Sequence, residues 1–125
     1  MANPRIKAVD LAFPCLTRPR GEEAYAKLRP FIDEHGAVDL DLDAKDAPSS
    51  SFLDEIILKL QSSGDLDRLT FVTRSDRIKS RLSTIADIRH VALYFKPDSG
   101  SQVRLLPKKS PSNYKAEYER KPALA

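Results

Sequence analysis

The sequence contains a single cysteine, Cys15, and only two histidines. It therefore lacks the paired thiols of a disulfide framework and the clustered ligands of a zinc finger. It also has no tryptophan and no apolar run near the roughly 20 residues that cross a bilayer. The first ten residues hold no apolar stretch of signal-peptide length. We expect a cytoplasmic protein without a membrane span, in which Cys15 is a small buried residue rather than a nucleophile.

No sign of charge dominates most of the chain, because residues 1–106 hold 16 basic and 16 acidic side chains. The net charge of +3 comes from residues 107–125, which carry five bases and two acids. Residues 33–67 carry ten acids against two bases, whereas residues 68–89 carry six bases against two acids. This segregation predicts a domain with an acidic and a basic face. An acidic face favours a basic protein partner over nucleic acid.

Apolar periodicity predicts one α/β domain over residues 1–106, followed by a flexible basic tail at 107–125 that has no sustained apolar period. The expected order is β-α-β-α-β-α-β-β, which gives a mixed sheet with helices packed on it. The predicted strands are 6–13, 37–43, 69–73, 91–95 and 103–106. The predicted helices are 22–35, a helix that begins at the serines of 49–51, and one that Ser75 caps.

Three consecutive serines, at positions 49–51, stand where the second long helix must begin. The first backbone N–H groups of a helix lack helical partners and carry a partial positive charge, so a hydroxyl or a phosphate can satisfy them. Ser51 is the predicted N-cap, with Asp54 three residues on in a near capping box. A purely structural cap is sufficient to explain this motif by itself.

Three motifs carry a family resemblance: Thr17-Arg18 before the first helix, Val38-Asp39-Leu40-Asp41-Leu42, and Ser50-Ser51-Phe52-Leu53-Asp54-Glu55. In these runs, within residues 15–96, the chain resembles the STAS-like domain family of unknown function. It is also similar in pattern to the STAS domains of anti-sigma factor antagonists. The resemblance implies a STAS-like fold and a non-catalytic regulatory module that binds protein. We expect no cofactor and no bound metal.

Antagonists of this type are bound by a histidine-kinase-like ATPase, which phosphorylates them on a serine at a helix start. The resemblance makes Ser51 the counterpart of that serine, with Ser50 as the alternative. It also implies that the partner contacts the surface around these serines. The residues expected on that surface are Asp43, Asp46, Ser49, Phe52, Asp54 and Glu55.

The sequence is also compatible with two other functions. Asp39, Asp41 and Asp43 alternate along one strand, so they could bind Mg²⁺ through oxygen ligands or supply a phospho-acceptor aspartate. The tail offers lysines with two tyrosines downstream, a combination on which single-stranded nucleic acid can stack. We expect no nucleic-acid binding by the folded part itself.

Overall fold

Five strands form one mixed sheet in the order β1-β2-β3-β4-β5 in the computed structural model, which describes residues 3–98 and 100–108. The first four strands run parallel, and β5 pairs antiparallel with β4. The predicted α/β class and the terminal hairpin are thus confirmed. The strands are β1 (Arg5–Lys7), β2 (Val38–Asp41), β3 (Leu69–Val72), β4 (Leu93–Lys96) and β5 (Val103–Leu105).

Four α-helices connect the parallel strands: α1 (Ala8–Leu11), α2 (Arg18–His35), α3 (Ser50–Ser63) and α4 (Asp76–Arg89). A short 3₁₀ turn at Leu66–Arg68 precedes β3. Within residues 3–98 and 100–108, none of these helices is both long and apolar enough to cross a membrane. The predicted tail falls almost wholly on residues 109–125, which lie outside the described part, as does the nucleic-acid site suggested for it.

The predicted first strand is wrong beyond Lys7, where α1 begins. The buried residues that follow are Ala8, Leu11, Ala12 and Cys15, and their spacing of three, one and three residues is helical rather than alternating. A run of mostly apolar residues satisfied both periods at the level of sequence. The structure follows the helical one, with Ala8 and Leu11 of α1 and then Ala12 and Cys15 all in the hydrophobic core.

The two faces of the sheet differ in chemistry. Strand register places Ile6, Leu40, Phe71 and Phe95 in one row across β1 to β4, and this row belongs to the same hydrophobic cluster as the buried residues of α2, α3 and α4. Alternate positions on the strands, such as Asp39 and its partner Thr70, face the other way. The long helices therefore cover the apolar face.

Helix α3 lies between α2 and α4 and packs against both. Its buried residues are Phe52, Leu53, Asp54, Ile56, Ile57 and Leu60. Helices α2 and α3 lie close together at Gly21, where a Cβ atom would lie 2.6 Å from the carbonyl oxygen of Phe52 and 2.9 Å from the Cβ of Glu55. Glycine at this position therefore sets the distance between the starts of α2 and α3.

We expect Gly21→Ala to destabilise the domain by about 1–3 kcal/mol, because the added methyl group meets a backbone carbonyl that cannot rotate away. Helix propensity alone would favour alanine by about 1 kcal/mol. The exposed Ala26 of the same helix provides a matched control, since Ala26→Gly measures propensity without a contact. Denaturant unfolding checks both, and stabilisation by Gly21→Ala would refute the tight contact.

Candidate functional site

Ser49 caps helix α3. Its Oγ accepts a hydrogen bond from the backbone N–H of Phe52 at 3.1 Å and donates one to the carbonyl oxygen of Leu16 at 2.8 Å. Its own N–H donates to the carbonyl of Cys15 at 2.9 Å. The prediction that Ser51 is the N-cap is therefore wrong. The loop before α2 selects Ser49 among three equivalent serines, because only Ser49 reaches this loop.

Ser50 and Ser51 form the first two positions of α3, and both are exposed. Within residues 3–98 and 100–108, neither hydroxyl takes part in a hydrogen bond, since Ser49 performs the capping. The next residue, Phe52, is fully buried at 0 % exposure. The surface at the start of α3 therefore presents two hydroxyls with no structural role in this part of the chain.

Asp54, one turn into α3, joins three helices. Arg89 at the end of α4 donates to both of its carboxylate oxygens, at 2.6 and 2.8 Å. Arg18 at the start of α2 lies 2.8 Å from the Oδ2 atom. The hydrogen bonds from Arg89 are the main cause that lowers the pKa of Asp54; burial opposes the effect and Arg18 adds to it. Asp54 is therefore an ionised structural residue.

Two further basic residues complete the charged surroundings of α3. Glu55 forms ion pairs with Arg18, at 3.3 Å between Oε1 and Nη1, and with Lys59, at 3.8 Å between Oε2 and Nζ. Arg81 of α4 donates to the carbonyl of Pro48, the residue before the cap. The two acids of the first turns are thus balanced by bases from α2, α4 and α3 itself.

A surface groove of about 320 Å³ lies between α3 and α4, beside these residues. Its lining combines apolar and polar groups, and Ile88 in it is 69 % exposed. We call the exposed residues of this groove the α3-start surface, namely Arg18, Ser50, Ser51, Thr84 and Ile88. An apolar side chain beside hydroxyls and a cation is a combination typical of protein-binding surfaces.

The predicted partner surface is only partly formed. Phe52 and Asp54 are wrong as surface residues, because the first fills the core and the second is sequestered by two arginines. Asp43 accepts hydrogen bonds from Thr73 and the backbone of Arg74, which tie the loops after β2 and β3 together. The remaining predicted residues lie at the surface to different degrees: Asp46 is exposed, and Ser49 and Glu55 are half-buried.

The three aspartates proposed as a metal or phospho-acceptor site have separate basic or polar partners. Asp39 is bound by Lys96 at 2.7 Å, and Asp41 by Arg5 at 3.2 Å. Asp43 is held by the loop after β3. Among residues 3–98 and 100–108, no group of three His, Cys, Asp or Glu side chains could hold a metal ion. The geometry of these strands and loops therefore gives the alternative no support.

The predicted separation into an acidic and a basic face is wrong for most of residues 33–67. The fold brings bases from distant segments to these acids, so that charges alternate in space although they are segregated in sequence. The pairs are Asp39 with Lys96, Asp41 with Arg5, Asp43 with Arg74, Asp54 with Arg89, and Asp65 with Arg29.

Cys15 is buried, as predicted, and its Sγ donates a weak hydrogen bond to the carbonyl oxygen of Ala12. Burial raises the pKa of this thiol, which disfavours the thiolate that nucleophilic chemistry requires. Within the loop that holds Ser49, the side chain of Cys15 therefore packs into the core as an apolar residue.

Comparisons of the chain with models of known families, with curated proteins and with solved structures give no match. The resemblance to STAS-like domains stays a prediction from the three sequence motifs.

The three serines should differ in how much each contributes to the free energy of unfolding. We expect Ser49→Ala to lower the free energy of unfolding by about 1–2 kcal/mol, because it removes the cap of α3 and the bond to Leu16. Ser50→Ala and Ser51→Ala should change it by less than about 0.5 kcal/mol. Urea unfolding of the three variants measures this order, and a larger effect at Ser51 would contradict the assignment of the cap.

Asp54→Asn should destabilise the domain by about 1–2 kcal/mol at pH 7, because the paired arginines lose a charged acceptor but stay partly hydrated. Because the pKa of Asp54 is lower in the folded protein than its usual value of 3.8, its ionised carboxylate stabilises the fold at pH values above 3.8. This contribution is lost as the pH falls through the folded-state pKa. The difference between wild type and variant should therefore shrink below about pH 4. Asp33→Asn, at an exposed pair, is the control.

Unfolding curves recorded from pH 7 to pH 3 test this expectation. Asp33 is 61 % exposed, so its variant should lie within about 0.5 kcal/mol of wild type. A difference for Asp54→Asn that stays constant over the whole range would show that its charge does not stabilise the fold.

Proposed function

We propose that this chain is a regulatory protein-binding module of STAS-like type that has no catalytic activity of its own. Its α3-start surface binds a protein partner, and phosphorylation of Ser51, or alternatively Ser50, controls that binding. The proposal rests on one observation: the hydroxyls of Ser50 and Ser51 are exposed at the start of α3, and neither of them caps the helix. A cytoplasmic location belongs to the same proposal and rests on the lone, buried cysteine.

A helix start suits a phosphorylated serine. The added group brings a charge of about −1.5 to −2 and three acceptor oxygens. The N–H groups and the dipole of the first turn stabilise such an anion. Because Ser49 keeps the cap, the modification would leave the hydrogen bond that begins α3 in place. Phosphorylation would thus alter the surface without unfolding the helix.

Phosphorylation would change the net charge of this surface substantially, because its existing charges nearly cancel. The bases around the first turns of α3 are Arg18, Arg81, Arg89 and Lys59, and the acids are Asp54, Glu55 and the Glu22 that pairs with Lys59, so the charges nearly cancel. The unmodified site is close to neutral, so a phosphate would make it negative. The acidic face predicted from residues 33–67 would instead have placed the phosphate on a surface that is already negative.

The partner would dock on Ile88 and the hydroxyls together. Burying an exposed isoleucine contributes about 1.5–3 kcal/mol to an interface. A partner fitted to the neutral serine would then have to accommodate an added anion in the interface, at a cost on the order of 2–5 kcal/mol. That penalty corresponds to a loss in affinity of at least about tenfold. The resemblance suggests a histidine-kinase-like ATPase as the partner that binds and phosphorylates the chain.

The proposal is tested with Ser51→Ala, Ser51→Glu and the control Ser62→Glu, which adds the same charge at the exposed far end of α3. A cognate partner, recovered by crosslinking from the native cell and then purified, should bind wild type, Ser51→Ala and Ser62→Glu alike. We expect Ser51→Glu to bind at least about tenfold more weakly. Calorimetry or surface plasmon resonance measures the affinities.

Phosphopeptide mapping of the protein purified from its native cell supplies the second arm. Phosphate on Ser51 or Ser50 is the expected result. Equal affinity of Ser51→Ala and Ser51→Glu for the partner, or phosphate confined to other residues, would refute the proposed switch.

A further inference from the structure

We propose that Arg18 responds to phosphorylation of Ser51 by leaving Asp54 and Glu55 and binding the phosphate. This inference rests on the proposed function, since it assumes that Ser51 is the modified residue. It adds a second residue to the switch and assigns it to a different helix, α2. The modification would then add an anion to the α3-start surface and redirect a cation of the same surface from the acids to the phosphate.

Helix geometry brings Arg18 close to Ser51. Asp54 and Glu55 follow Ser51 by three and four residues, so all three side chains lie on one face of α3, about 5–6 Å apart at Cβ. Arg18 contacts both acids, with Nη2 2.8 Å from Asp54 Oδ2 and Nη1 3.3 Å from Glu55 Oε1. Its guanidinium therefore lies within about one helical turn of the Ser51 hydroxyl.

Arg18 can leave because neither acid would lose its last partner. Arg89 is bound to both oxygens of Asp54 and is the less exposed arginine, at 26 % against 50 % for Arg18. Lys59 lies 3.8 Å from Glu55 and stays beside it. The main penalty for breaking a buried ion pair is a charge left without a counter-ion. Movement of Arg18 to the phosphate avoids this penalty, because Asp54 and Glu55 each keep a basic partner.

The phosphate is the stronger attractor. It carries up to twice the charge of a carboxylate, and its oxygens accept two parallel hydrogen bonds from one guanidinium. The other arginine near this turn, Arg81, donates to the carbonyl of Pro48 and so is less available than the half-exposed Arg18. Asp46, in the preceding loop, is exposed and opposes the anion only through solvent.

The experiment uses the full chain with phosphoserine incorporated at position 51 during synthesis, so that no kinase or partner is needed. ³¹P NMR follows the second ionisation of the phosphate, whose ordinary pKa is about 6. In the folded protein we expect this pKa to be lower by about 0.5–1 pH unit in wild type than in Arg18→Gln. Both proteins keep the start of α3, so the difference isolates Arg18.

Two further variants act as controls. Arg18→Lys keeps the charge without the planar fork and should retain part of the shift. Arg20→Gln removes an exposed arginine of the same helix that pairs with Glu23, and it should leave the phosphate pKa unchanged. Thermal unfolding of each variant checks that the fold is intact at the temperature of the titration.

Equal phosphate pKa values in wild type and Arg18→Gln would overturn the inference, as would an equal shift in Arg20→Gln. Partner binding that Ser51→Glu still weakens would in that case leave the proposed function standing. Conversely, a shift that depends on Arg18, found with a partner that ignores phosphorylation, would support the contact with Arg18 and refute the proposed function.

Discussion

The order of the sheet is the constraint on which the rest of this structure depends. Because β1 to β4 run parallel in sequence order, the long helices lie side by side over one face, with α3 in the middle. The first turns of α3 therefore receive side chains from both neighbours. Asp54 illustrates this, since it binds Arg18 from α2 and Arg89 from α4. A helix at the edge of the layer would have only one such neighbour.

Pairing of charges over long distances in sequence then determines the electrostatics of the site. The block of acids in residues 33–67 implied a negative surface, yet Asp54 finds its counter-ion 35 residues later in the chain. Such pairs hold carboxylates ionised where the helices meet, and they leave the surface near neutral. On a near-neutral surface, one added anion changes the sign of the local net charge.

Sequence patterns predicted what depends on local periodicity. The alternation of Val38, Leu40 and Leu42 located β2, and the serines located the start of α3. Patterns failed where a tertiary contact decides. Ser49 caps α3 because the carbonyl of Leu16 accepts its hydroxyl, and no local rule separates it from Ser51. The role of Arg18 depends on the approach of two helices and carries no signal in residue spacing.

The serines at the start of α3 divide two tasks that one residue could not perform together. A capping hydroxyl is engaged with backbone N–H groups, so adding a phosphate to it would replace the hydrogen bond that begins the helix. Ser49 takes that role and is held by the loop before α2, which leaves Ser51 at the surface. Chemical change at Ser51 can therefore act on the α3-start surface while the cap, and with it the packing of Phe52 in the core, stays intact. In the proposed switch, the residue that stabilises the helix and the residue that regulates binding are separated by two positions in the chain.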